Sequence, residues 1–190
     1  MSIGKCIIFS APSGSGKTTL VKYLLGQNDL NLIFSISATT RKKRNNEKNK
    51  VDYIFLDKDS FKNKIGNEEF LEFEEVYEGV FYGTLKESVR TLLNKYNVIF
   101  DIDVEGGLKL KNQFNEKALA VFVRPPSIQE LQKRLNKRNN DSSESINTRL
   151  SKAKLELSRE EFFDKTIVND DLSDSKKEAY NLVSEFLNKK

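Results

Sequence analysis

The stretch Ala11 to Thr18, APSGSGKT, constrains this chain more than any other segment of it. It follows an apolar run, Lys5 to Ser10 (KCIIFS), that reads as a buried strand, and it opens a helical stretch from Lys17 to about Leu25. Apart from Ala11 in place of a first glycine, it fits G-x-x-x-x-G-K-[ST], the pattern of a loop that wraps a polyphosphate. Gly14 and Gly16 let the backbone curl so that successive N–H groups converge on one anion, and the helix start adds the positive end of its dipole. Lys17 is then placed to bridge the β- and γ-phosphates of ATP, and the Thr18 hydroxyl to ligate Mg²⁺. Pro12, Ser13, Ser15 and Thr19 complete the same wall, and Ala11 costs little provided its φ is negative. A plain Gly/Ser turn capping a helix is the bland alternative; Lys and Thr in register between strand and helix argue against it.

Three further apolar runs read as buried strands: Asn97 to Ile102 (NVIFDI), Ala118 to Val123 (ALAVFV) and Lys165 to Asn169 (KTIVN). Helical patterns separate them, at roughly Leu85 to Lys95, Val104 to Gln113, Ser127 to Lys137 and Leu172 to Leu187. Continuous apolar strands alternating with amphipathic helices predict an α/β fold with a parallel sheet covered on both faces. Two segments break the alternation. Ser35 to Gly83 is polar with short strand signals, and Arg124 to Glu161 is charged and helical, with Ile146, Leu150, Ala153 and Leu157 in one narrow stripe that should pack against the body. A core of 1–34, 84–123 and 162–190 with inserts at 35–83 and 124–161 is therefore expected. At the end of its strand, Asp101 reads as the acid that holds the metal's water shell. Asp103 is expected on the same side as Asp101, one serving the metal and the other an acceptor.

Composition narrows the chemistry. The chain has 190 residues, 32% of them charged, and a mean hydropathy of -0.57. One compact domain is expected, with no apolar run near the roughly 18 residues of a membrane span. Met1 to Phe9 carries no cleavage site, so no signal peptide is expected. The single cysteine, Cys6, allows no internal disulfide, and with no histidine a Cys/His zinc site is excluded, pointing to a reducing cytoplasm. A net charge of +4 and a pI near 9.0 suit polyanionic ligands without choosing among them. Without imidazole, catalysis must rest on carboxylates, Lys, Arg and a metal.

Which phosphoryl acceptor is meant is decided by Phe34 to Arg44 (FSISATTRKKR), Asp52-Tyr53, Phe70 to Phe73 (FLEF) and Phe81 to Thr84 (FYGT). With FDIDVEGG, RPPS, ESINTRL and IVNDDL following in order, the chain resembles the guanylate kinase family from Ile7 to about Leu187. That resemblance implies a P-loop three-layer α/β/α fold with a GMP-binding insert (35–83) and a helical lid (124–161). It implies an ATP:GMP phosphotransferase, a nucleoside-monophosphate kinase using Mg²⁺, with dGMP as a second acceptor. Glu72 becomes the guanine reader, and the chemistry fits: one carboxylate accepts from both N1–H and N2–H₂, whereas adenine would leave it unpaired. Ser37 and Thr84 match hydroxyls that bond the base. Arg41 and Arg44, helped by Tyr53 and Tyr82, match the grip on the GMP phosphate, and Gly83, Asp101 and Asp103 join that side. Arg134, Arg138 and Arg149 match lid arginines over the ATP phosphates, and Asn169 matches a position near adenine. Lys17, Arg41, Asp101, Arg138 and Arg149 would carry catalysis. The family commonly has R-G-T-D where this chain has Arg138-Asn139-Asn140-Asp141, with Asp141 and Glu144 expected to cap the next helix. The alternatives are a catalytically inactive guanylate-kinase-like interaction module, disfavoured by the intact GSGKT, and a nucleic-acid-binding P-loop protein, resting on pI alone. Neither a nucleic acid nor a membrane is an expected partner, and monomer and homo-oligomer stay equally open.

Overall fold

Every residue of β1 (Cys6–Ser10) is buried, and its alternating side chains feed two separate cores. The computed structural model describes residues 4–137 and 143–189. After β1 come α1 (Lys17–Leu25), β2 (Leu32–Phe34), β3 (Ala38–Thr39), β4 (Ile54–Phe55), α2 (Lys58–Gly66), β5 (Phe70–Tyr77) and β6 (Val80–Leu85). Then follow α3 (Lys86–Leu93), β7 (Asn97–Ile102), α4 (Val104–Phe114), β8 (Ala118–Arg124), α5 (Ile128–Lys137), α6 (Ser143–Leu157), β9 (Lys165–Val168) and α7 (Leu172–Asn188).

The central sheet is wholly parallel, in the order β2-β7-β1-β8-β9. Ile7 and Phe9 point to the face covered by α1 and α7, where they meet Leu20, Leu24, Ala179 and Val183. Cys6 and Ile8 point to the face covered by α3 and α4, against Val89, Leu93 and Leu110. Burial on both faces explains the unbroken apolar runs, and burial also pushes the Cys6 thiol up to about 12, leaving it an inert filler. With β7 on one side of β1 and β8 on the other, a crevice opens beyond their carboxyl ends, the place where open α/β sheets bind ligands. β2 was not among the expected strands. It is three residues long at the sheet edge, too short for a pattern to register.

A second, four-stranded sheet runs β4-β3-β6-β5. α2 packs on it through Phe61, whose ring stacks on Phe70 at 4.4 Å. Nothing in the sequence announced α2, because a polar stretch with a single buried side chain has no stripe. Its start is nonetheless marked: Asp57 accepts from Ser60 N and caps the helix. β6 crosses the expected boundary at residue 84 and leads directly into α3.

The apolar stripe of α6 packs elsewhere than expected. Ile146 and Ala153, with Leu150 beside them, meet Leu131 and Leu135 of α5 rather than the body. α5 in turn lays those same leucines on the phosphate loop: a Cβ added to Gly14 would lie 3.1 Å from each.

Candidate active site

The loop between β1 and α1 is held open by two left-handed glycines, Gly14 at φ 98 and Gly16 at φ 95, while Ala11 avoids positive φ as the sequence requires. Asn169 braces it from below. Its Nδ2 donates to Ser15 O at 2.7 Å, and it lies so close that a Cβ on Gly16 would sit 2.1 Å from it. Asn169 is therefore a buried support of the loop, through one N–H of its amide. Parallel pairing sets Asp101 beside Phe9 at the strand end. Lys17 Nζ lies 2.6 Å from Asp101 Oδ1 and donates to Ile102 O at 2.6 Å, and Thr18 Oγ1 donates to Asp101 Oδ2 at 2.6 Å. Thr18 and Asp101 thus converge as two hard oxygen donors at the loop, a donor set that suits Mg²⁺ shared with phosphate oxygens. Asp103 is not on the strand: it is the N-cap of α4, its Oδ1 accepting from Gly106 N at 2.9 Å.

A cavity of about 430 Å³ opens above the loop, lined by residues 11–19, Val76, Asp101, Asp103 and one face of α6. From α6, Arg149 Nη1 donates to Ser13 Oγ at 2.9 Å, and Thr148, Lys152 and Glu156 join the wall. Lys152 Nζ stands 3.5 Å from Glu74 Oε1 of β5. Burial and then Asp103 raise the Glu74 carboxyl, and burial lifts Glu156 to about 7. Arg134 is turned aside, its Nε paired with Glu130 at 3.1 Å on its own helix. Arg138 and the Asn139-Asn140-Asp141 segment lie outside the described residues, as does any cap by Asp141.

The second sheet and its loops carry the residues expected on the acceptor side. Glu72 of β5 lies opposite Thr84 of β6, is 6% exposed, and accepts from Thr84 Oγ1 at 2.6 Å. Desolvation pushes its carboxyl up to about 7, against the pull of that hydrogen bond. Gly83 makes the approach possible: a Cβ there would lie 2.8 Å from the Phe70 ring and 2.9 Å from Glu72 O. Arg41 follows β3, its Nε donating to Tyr82 Oη at 3.1 Å and its guanidinium 5.3 Å from the Tyr53 ring. Tyr53 and Tyr82 meet edge-to-face with centroids 5.9 Å apart. Arg44 is exposed, and Ser37 is half-buried just before β3, its carbonyl accepting from Ile54 N at 2.9 Å.

A phosphate loop ending the central strand, with a buried carboxylate on an adjoining mixed sheet, is one arrangement that several families could use. Residues 3–189 match the family model described as Guanylate kinase. The chain belongs to the guanylate kinase family. It is 54% identical to the guanylate kinase of Bacteroides thetaiotaomicron over 98% of this chain and 91% of that one. It is 39% identical to the guanylate kinase of Mycoplasma genitalium over 97% of this chain and 77% of that one. The crystal structure of guanylate kinase from Anaplasma phagocytophilum superposes with a TM-score of 0.77 at 29% identity, covering 100% of this chain and 89% of that one. By membership the chain is a transferase, a nucleotide-binding kinase.

Within this guanylate kinase, sequence reasoning passed over Glu47, Glu74, Lys152 and Glu156. Glu47 chelates the Arg41 guanidinium through both oxygens, at 2.7 and 3.0 Å, and its carboxyl is held down at about 2, chiefly by that pairing and then by the Arg44 amide. One signal was available: Glu47 is the only acid between Arg41 and Lys50. Lys152 sits one turn beyond Arg149 on α6 and so shares its face, which the spacing alone could have supplied. No such signal marks Glu74, whose place depends on strand pairing.

Proposed function

We propose that this chain transfers the γ-phosphoryl of ATP to GMP, giving ADP and GDP. One observation carries the choice of acceptor: the carboxylate of Glu72, buried on β5 beside Thr84. A desolvated carboxylate is costly unless a ligand supplies donors, and guanine's N1–H and 2-amino group are such a pair. Ser37 and Thr84 add hydroxyls to the base, and Arg41, Arg44, Tyr53 and Tyr82 take the phosphate of GMP. dGMP is included, since no residue in this set is reserved for a ribose 2′-hydroxyl. In this reading 35–83 is the GMP-binding insert and 124–161 the lid over a core of 1–34, 84–123 and 162–190. Cytoplasmic residence follows the nucleotides it would consume.

The loop amides and Lys17 hold the ATP phosphates, and Arg149 covers them from the lid, joined by Arg138 and, once it leaves Glu130, by Arg134. Thr18 and Asp101 would hold Mg²⁺, which when bound compensates charge on the β- and γ-phosphates. An oxygen of the GMP phosphate attacks the γ-phosphorus in line; that P–O bond forms as the bond to the ADP oxygen breaks, and ADP leaves. The nucleophile is already anionic, so no general base is required, in keeping with a chain that lacks histidine. Catalysis is then positioning and charge compensation by Lys17, Arg41, Arg149 and the metal held at Asp101.

A coupled ADP-release assay with ATP, Mg²⁺ and a panel of GMP, dGMP, AMP, CMP and UMP tests this directly. Turnover is expected with GMP and dGMP and little with the others. Equal activity on AMP would sink the guanine assignment, and no activity on any nucleotide would favour the inactive interaction module.

A further inference from the structure

Arg41 has little freedom. Its Nε donates to Tyr82 Oη, its Nη1 to Lys42 O at 2.9 Å and Glu47 Oε2 at 3.0 Å, and its Nη2 to Glu47 Oε1 at 2.7 Å. Four of the five N–H bonds of a guanidinium are thereby engaged. The rings of Tyr53 and Phe55 flank the group at 5.3 and 5.8 Å. Glu47 also reaches Arg44: its Oε2 accepts from Arg44 N at 2.8 Å, while Glu47 N donates to Arg44 O at 3.1 Å. One side chain therefore closes the turn and fixes the arginine that precedes it. Exposed ion pairs usually contribute little, but this one is bidentate and its two side chains are only 18% and 16% exposed.

We infer that Glu47 is a positioning residue for the acceptor's phosphate: it sets the Arg41 guanidinium and the Arg44 backbone into one fork before the phosphate arrives. This rests on the reading that Arg41 and Arg44 grip the phosphate of GMP. Without Glu47, Arg41 would sample many rotamers, and the substrate would have to order it. Once bound, the phosphate dianion is itself the counter-ion that holds both arginines, so the benefit of Glu47 falls on binding more than on turnover. Glu47 touches neither the guanine reader nor the phosphate loop, so the base and ATP should not sense its loss.

The test is Glu47→Gln, which keeps the shape and one acceptor oxygen but removes the charge. The KM for GMP should rise about tenfold or more, as expected for loss of a charge-assisted pair, while kcat at saturating GMP and the KM for ATP change much less. Guanosine, which has no phosphate, serves as the control ligand: its inhibition constant should stay unchanged. An unchanged KM for GMP would overturn the inference. A lower KM would do so too, making Glu47 an internal competitor for the phosphate's place. Equal weakening of guanosine and GMP would reduce Glu47 to support of the fold. Should Glu47→Gln melt below the assay temperature, Glu47→Asp, with the charge kept but withdrawn by one methylene, provides the same comparison. The unmodified chain is assayed alongside: if it turns over GMP and the variants match it, only this inference fails, whereas inertness toward GMP brings down the functional reading as well.

Discussion

A carboxylate buried in a protein is a group waiting for a proton or a donor, and Glu72 has both prospects. Desolvation holds its pKa near 7, so at acidic pH it is protonated and offers guanine one acceptor too few. The KM for GMP should therefore fall as pH rises through about 7, and Glu72→Gln should lose both that dependence and the preference for GMP over AMP. Stability moves the other way. Between the ordinary 4.5 and about 7 the folded chain keeps a proton that the unfolded chain has released, so raising pH through this window destabilises the fold. Melting temperatures measured across the window should drop more steeply for the unmodified chain than for Glu72→Gln. Glu156 adds the same slope to both proteins and cancels from the comparison. A matching slope in the two would refute the assignment. In the sequence Glu72 is one of six glutamates from Glu68 to Glu78, and composition does not separate it from the rest. Family order singled it out; the physical reason is a strand pairing, with a register shift between Phe70 and Glu72, that no local pattern encodes.

At the scale of elements, the strand, loop and helix around Lys17 were legible almost to the residue. β1, β7 and β8 are buried on two faces and so write long apolar runs, and their helices carry clear stripes. α2 and β5 were not legible. α2 buries Phe61 alone, and β5 interleaves glutamates with its apolar residues on both faces, so neither writes a clean apolar pattern. What the loop owes to distant support was equally hidden. Asn169, at the end of β9, holds Ser15 O across 154 residues of chain. Asn169→Ala should leave that buried carbonyl without its partner, costing about 1–3 kcal/mol of stability, and should raise the KM for ATP more than that for GMP. Thermal denaturation and steady-state kinetics check both halves; equal effects on the two substrates would place Asn169 outside the support of the loop.

Across the whole molecule, the parts are joined unequally. The second sheet is tied to the core through α4, where Lys109 reaches Phe73 O and Gln113 reaches Leu71 O, and through the continuous run from β6 into α3. α6 instead meets the rest mainly through polar side chains, Arg149 on Ser13 and Lys152 on Glu74, while its apolar stripe turns to α5. A body joined by an apolar seam moves as one piece, and one joined by polar ties can part from its neighbour at small cost. Arg149→Ala should lower kcat by about 10²-fold or more while the KM for GMP changes little, since the loss falls on charge developing in transfer. Rapid-quench turnover checks this, and a change confined to KM would point to binding alone. The strand–helix alternation of the sequence fails where the structure has its second sheet and its α5–α6 pair. The partner of the α6 stripe was not, because a stripe gives the face of a helix and not what it faces.

The register of β7 against β1 has a consequence for how this chain can vary. Asp101 stands beside Phe9 because five successive residues of the two strands pair without a break. Strand side chains alternate, so a slip by one would turn Asp101 into the greasy layer and present Phe100 to the phosphates. A single codon gained or lost within Asn97 to Ile102 therefore abolishes two things together, the packing of the sheet and the anchor for Lys17 and Thr18. The same change in the 41–50 segment leaves the central sheet intact and alters the turn that Glu47 closes onto Arg41 and Arg44. A change of length is therefore cheap for the core at the rim, and ruinous along the strand that carries the acid.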